Sequence, residues 1–216
     1  MADLDLTGVD WTPIGSKTDK FTGSFDGNNY TIKNLTIDSA QSDNLGLFGY
    51  AEDASFKNIV MENVSIKGNN HVGALVGSVS GDSDFKNIEI KNGNVEGNDY
   101  VGMIVGEGYY LKGDADNLFT SGTVKGEDYV GGLFGSIAGT SNFMSIEHSS
   151  SSAIVNGINK VGGLAGYIDD VSIRVSLFKG EVTGKDSVGG LAGELWGDYG
   201  GFSHTYSTGK VSGSAN

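Results

Sequence analysis

Val130-Gly131-Gly132-Leu133-Phe134-Gly135 decides how this chain is read, because recognisable copies of it recur at Leu45 to Tyr50, Val72 to Gly77, Val101 to Gly106, Val161 to Gly166 and Val188 to Gly193. The first residues are 45, 72, 101, 130, 161 and 188, so the spacings are 27, 29, 29, 31 and 27. A fixed period between about 20 and 50 residues is the mark of stacked repeats. Working outward, a V-x-G phrase precedes the motif in each unit, as in Ile66-Lys67-Gly68, Val95-Glu96-Gly97, Val124-Lys125-Gly126 and Val155-Asn156-Gly157. Further upstream lies an N-I-like strand start: Asn58-Ile59, Asn87-Ile88, Asn117-Leu118, Ser145-Ile146 and Ser172-Ile173, with Phe56, Phe85 and Phe143 just before three of them. Apolar residues recur with a spacing of two and are bounded by Gly, Asn and Asp, which predicts strands and no helix.

The fold class expected is all-β: a repeat solenoid, a parallel β-helix with rungs of ~29 residues, rather than a row of stacked antiparallel hairpins. Six or seven rungs ~4.8 Å apart give a rod of about 30 Å. Read as one strand, the motif puts Val130, Gly132 and Phe134 on one face and Gly131, Leu133 and Gly135 on the other. Leu47, Leu75, Val105 or Met103, Leu133, Leu164 and Leu191 are then expected in adjacent rungs. Residues 1–44 depart from the pattern and predict an N-terminal cap containing Trp11 followed by the first strands. Residues 45–216 read as one continuous repeat domain, an excerpt of a longer protein.

Composition narrows the function. Glycine supplies 36 of 216 residues, about twice the ordinary share, at fixed places in the repeat. A net charge of −13 with only 14 Lys and Arg disfavours nucleic acid and anionic membrane surfaces. With no cysteine, neither disulfides nor thiolate metal sites are available. The acidic opening Met1-Ala2-Asp3-Leu4-Asp5 is no signal peptide, and no apolar run is long enough to span a membrane.

Chemistry is sparse. His71, His148 and His204 fall at different repeat phases, and no zincin, nucleophile-elbow or phosphate-loop motif occurs. Some β-helical enzymes degrade acidic polysaccharide; here the acidic doublets Asp114/Asp116 and Asp169/Asp170 have only Arg174, Lys112 and Lys179 as cationic partners. The column Asn70, Asp99, Asp128, Asn159, Asp186 reads as a ladder of Asx turns, with calcium at Asp99, Asp128 and Asp186 as the alternative. Two loops are aromatic, and Tyr109, Tyr110, Trp196, Asp198 and Tyr199 are the candidate ligand-binding residues. Rings beside carboxylates suit a sugar, whose face stacks and whose hydroxyls hydrogen-bond; the competing reading is that they cover the neighbouring rung.

The repeated G-G-L-x-G preceded by V-x-G-x-x-x-V, with Phe25-Asp26-Gly27-Asn28-Asn29-Tyr30-Thr31-Ile32 ahead of it, resembles the GLUG-motif repeats of bacterial surface proteins. Departures are Leu45-Gly46-Leu47-Phe48-Gly49, one glycine short, and Ala74 and Met103 in place of the second glycine. Such repeats occur in exported adhesins and beside the catalytic domains of immunoglobulin A peptidases. The resemblance implies a secreted or cell-surface adhesin module, not an enzyme, that engages a host or cell-surface glycan or protein, flanked by other domains of a larger chain. The alternatives are a polysaccharide-active β-helix enzyme and a structural stalk.

Overall fold

The computed structural model describes residues 2–140 and 144–214, so Phe143 lies outside the described residues. Among them every strand pairing is parallel and there is no helix. The chain is a β-solenoid of seven rungs, whose first strands begin at Ser24, Ser55, Asp84, Ala115, Met144, Val171 and Gly201. Three sheets run along its length. A long sheet carries the upstream and V-x-G strands, a five-stranded sheet carries Val72–Gly73 and its equivalents, and a six-stranded sheet carries Phe48–Glu52 to Ala192–Trp196. The hairpin alternative fails because the V-x-G strand and the glycine-rich motif of one unit belong to different sheets.

Register follows the repeat. Ile37, Ile66, Val95, Val124, Val155, Val182 and Val211 stand one above another, as do Val72, Val101, Val130, Val161 and Val188. Residues 24–38 already pair with the next rung, Leu4–Asp5 pairs with Thr31–Lys33, and Trp11 packs on the core and donates its indole N–H to the Leu47 carbonyl at 3.2 Å. Phe21, Phe48, Phe56 and Phe85 form an internal aromatic spine, with Phe56 and Phe85 stacked at 5.3 Å.

The structure corrects four sequence readings. The glycine-rich motif is not one strand: Asp128–Gly131 ends on one sheet, Gly132 and Leu133 turn a corner, and Phe134–Gly139 begins the next sheet. Val130, Leu133 and Phe134 are therefore all buried, which no strict alternation allows. The corner column is Leu47, Leu75, Ile104, Leu133, Leu164 and Leu191, held by backbone bonds such as Ile104 N–H to Leu133 at 2.8 Å, so Ile104 replaces the expected Val105 or Met103. Ile146 and Ile173 align with Phe85 and Ala115, three residues out of the expected phase. The positions that match Leu118 are Ser149 and Ser176, whose buried hydroxyls accept the backbone N–H of the preceding rung at 3.1 and 3.2 Å. With that phase restored, His148 and His204 share a column with Val175 between them, contrary to the reading that no two histidines do.

Glycine is required at the corner by close approach of backbone. A Cβ on Gly131 would run into the Phe134 carbonyl and lie 2.6 Å from the Cα of Ala165 and 2.7 Å from the nitrogen of Gly166. The second glycine varies with what faces it: Met103 reaches across the core to Gly93, whereas Gly163 leaves room for the ring of Phe178. Large and small residues thus alternate across the interior and keep it filled.

Candidate functional site

The residue just before the Val of each corner (Leu45 in the first), at Asn44, His71, Tyr100, Tyr129, Lys160 and Ser187, is left-handed, with φ between 52° and 58°. A side chain there costs roughly 1 kcal/mol or more unless it is Gly, Asn or Asp. Two other columns keep that preference over part of their length, with Asn34, Asn63 and Asn92 in one and Asn58, Asn87 and Asn117 in another, although the second continues through His148, Val175 and His204, and Tyr110 is left-handed as well. At the corner it holds an imidazole, two phenols and an ammonium instead. Their side chains pile up along the axis: His71 on Tyr100 at 4.9 Å, Tyr100 on Tyr129 at 4.6 Å, and the Lys160 ammonium 4.6 Å above the Tyr129 ring and 5.1 Å from Tyr167.

Opposite them the six-stranded sheet contributes the column Tyr50, Ser78, Glu107, Ser136, Tyr167 and Glu194. The two columns wall a trough of about 480 Å³ that also takes in Tyr109 and Trp196. It continues past Glu107 and Tyr109 into a second hollow of about 260 Å³ beside Lys17, Tyr50 and His71. Lys160 Nζ lies 3.2 Å from both the Tyr129 hydroxyl and Glu194. Burial works against its charge, but those two hydrogen bonds outweigh it and hold the ammonium above its ordinary value. His71 Nε2 is 3.4 Å from Glu107; burial, only partly offset by that carboxylate, lowers its pKa and keeps the imidazole neutral at pH 7. Burial raises the phenols of Tyr100 and Tyr167, so both stay protonated.

Of the five sequence candidates, Tyr109 and Trp196 come together in this trough. Tyr110 is exposed and meets Tyr109 edge-on at 5.7 Å, while Asp198 and Tyr199 lie in the turn after Trp196, where the Tyr199 N–H donates to Asp170 at 3.1 Å. None of these three lines the trough. Tyr100, Tyr129 and Lys160 do, and sequence reasoning missed them. Their signal was the residue after each Asx, in Asp99-Tyr100-Val101-Gly102, Asp128-Tyr129-Val130-Gly131 and Asn159-Lys160-Val161-Gly162.

The Asx column itself is in register from Asp99 through Asp128 and Asn159 to Asp186. It brings only Asp99 and Asp128 side by side, with the Asn159 amide donating to Asp128 at 2.6 Å, and among the described residues no group of three His, Asp or Glu converges on a metal position. Burial first, then the Asp128 charge, raises the Asp99 pKa. A carboxyl whose pKa rises on folding costs stability once pH climbs above its unfolded value of 3.8. Asp99→Asn is therefore expected to raise Tm at pH 7 and to leave it unchanged near pH 3, checked by thermal scans at both. A wild-type Tm that rises with calcium, by an increment the variant lacks, would instead put an ion in the column.

The other acidic groups do separate jobs. Asp170 is left-handed and holds the turn of the following rung, as Asp53 does through the Asp82 N–H at 2.8 Å. Asp116 pairs with His148 at 2.8 Å in a hollow of about 270 Å³ on the long sheet, but the Ser145 hydroxyl donates to Asp114 rather than to that histidine. Among the described residues no nucleophile is hydrogen-bonded to His148 to complete a triad there. In the trough Glu107 and Glu194 stand three rungs apart, ~14 Å at ~4.8 Å per rung, beyond the roughly 5 to 9.5 Å that glycosidase carboxylates need.

Fold and site together define a β-solenoid with an axial, aromatic-lined trough. No protein-family model matches the chain. Part of it is 41% identical over 78 residues to Halomucin of Haloquadratum walsbyi, covering 34% of this chain and 1% of that one. Another match, to a "putative Gly-rich membrane protein" of Evansella cellulosilytica, is 33% identical over 89 residues, 37% of this chain and 10% of the relative. The chain thus spans a small part of either relative. Among solved structures, a "putative immunoglobulin A1 protease" from Bacteroides ovatus superposes with a TM-score of 0.57 at 19% identity, over 99% of this chain and 75% of that one. At that identity the likeness is one of fold; it agrees with the resemblance to repeats of immunoglobulin A peptidases, while the GLUG motif rests on the sequence.

Proposed function

We propose that this chain is a non-enzymatic recognition module of a secreted or cell-surface protein, an adhesin segment that engages its partner through the corner trough. The observation that carries the reading is the left-handed column. Asn would suit every one of those positions, yet His71, Tyr100, Tyr129 and Lys160 stand there, and strained backbone held for the sake of particular side chains gathers at functional sites. The relatives named for a mucin-like and a membrane protein support a surface location, and the wide separation of Glu107 and Glu194 supports binding without hydrolysis.

The test separates fold from function. Tyr129→Asn gives up ring stacking worth about 0.5 to 1.5 kcal/mol and relieves a left-handed phenol costing a similar amount, so its unfolding free energy should stay within about 1 kcal/mol of wild type. Its retention on cell surfaces and extracellular matrix, measured by flow cytometry with labelled protein, is expected to drop about tenfold or more. Undiminished retention would remove the trough from recognition.

A further inference from the structure

The trough's geometry says more about its occupant. His71, Tyr100 and Tyr129 lie within 8° and 6° of parallel, and Lys160 covers the far side of Tyr129, so these rings turn edges and hydroxyls toward the trough and keep their faces for one another. Two further rings, Trp196 and Tyr109, lie outside that stack and near the ends of the trough. Trp196 is 63% exposed and, among the described residues, no ring stacks on it. Tyr109 follows Gly108, which is in register with Ile137, Ile168 and Leu195, the residue before Trp196. The two rings are therefore three rungs apart, ~14 Å.

Between them the wall is polar and its charges are spent internally. Glu194 neutralises Lys160, and His71 is neutral, which leaves Glu107 as the net charge of the trough on a chain of −13. An anionic ligand is repelled, while a multiply charged cationic one finds only Glu107 free to pair with it, since Glu194 is taken by Lys160. A peptide cannot add as a strand, because these rungs' backbone groups already bond to the rungs above and below. A ligand with apolar ring faces at its ends and hydroxyls along its length satisfies every wall.

We propose, on the footing that the trough is the recognition surface, that it binds an uncharged linear oligosaccharide lying along the solenoid axis. One sugar ring stacks on Tyr109, another on Trp196, and the hydroxyls between them bond to Glu107, Tyr129 and Glu194. The distance between the rings suits roughly a tri- or tetrasaccharide.

Isothermal titration of the intact chain with graded neutral oligomers (β- and α-linked glucans, mannans, xylans), with oligogalacturonate and chitosan oligomers alongside, tests this. At least one neutral series is expected to bind, with affinity climbing with length until both rings are spanned and then levelling. Trp196→Ala and Tyr109→Ala should each weaken binding about tenfold or more and bring the plateau to shorter oligomers, while Tyr199→Ala, outside the trough, should not. A plateau at the mono- or disaccharide, or full affinity in both variants, overturns the axial clamp. Selective binding of a charged series, lost in Tyr129→Asn, overturns the uncharged class and leaves recognition by the trough standing. Silence from every sugar beside cell-surface retention that depends on Tyr129 likewise defeats only the sugar; silence in both assays defeats both readings.

Discussion

Gly131→Val is expected to cost more than about 3 kcal/mol, because overpacking against backbone leaves no rotamer to escape into. The new Cβ would collide with the Phe134 carbonyl and press on Ala165 and Gly166 of the next rung, atoms fixed by the corner hydrogen bonds from Leu133 and Phe134 to Leu164 at 2.8 and 3.1 Å. Gly201→Ala is the control. A Cβ there meets nothing within 4 Å, and its φ is one any residue adopts, so stability should hold or rise by about 0.4 to 1 kcal/mol through a less flexible unfolded chain. Urea unfolding of the pair measures the difference; comparable midpoints would mean that the corner yields and that glycine is not needed there.

Phe56→Ala should cost about 3 to 5 kcal/mol, the ordinary toll for emptying a fully buried aromatic site. Phe56 is 0% exposed and touches Phe21, Phe48 and Phe85, three rings drawn from neighbouring rungs that cannot all close on the cavity. The loss should also be local, since rungs contact only their neighbours. The two tryptophans lie near opposite ends of the solenoid, Trp11 by Leu47 and Trp196 in the last strand of the six-stranded sheet. In a Trp196→Phe background, Trp11 fluorescence should report unfolding at clearly lower urea in the Phe56→Ala protein. In a Trp11→Phe background, Trp196 should move less. Equal shifts at both ends would mean that the solenoid unfolds as one unit.

The repeat was legible because stacking forces the same side chain into the same place on every rung, so a period in sequence becomes a column in space. That held where each rung keeps its length, as in the series from Val72 to Val188. It slipped between Asn117 and Ser145, where the loop differs in length and an Ile preceded by Ser imitated the Asn-Ile of earlier units. The pairing of Ala115 with Ile146 came from the core, which wants an apolar side chain beside Phe85, and not from the local resemblance.

The site was legible only in part. Tyr109 and Trp196 stood out as aromatics among small polar residues, and they do share the trough. Tyr110, Asp198 and Tyr199 looked the same on paper, but Tyr110 is itself left-handed, and Asp198 and Tyr199 follow the left-handed Gly197 beyond the end of the strand, which carries all three out of it. Tyr100, Tyr129 and Lys160 were hidden by an assumption: a period of two through the glycine-rich motif makes the residue before Val one more alternating position, whereas a left-handed φ swings it beside the next sheet.

What the sequence by itself determined is the solenoid, its parallel rungs and the recurrence of glycine at fixed places in each, because identical segments can bury identical surfaces only by lying on one another. Tertiary structure alone decided that Gly132 and Leu133 turn a corner, and that His71, Tyr100, Tyr129 and Lys160 face Glu107 and Glu194 across a trough. A side chain's direction at the corner depends on one backbone torsion per rung, and for Tyr and Lys no residue preference announces that torsion in advance.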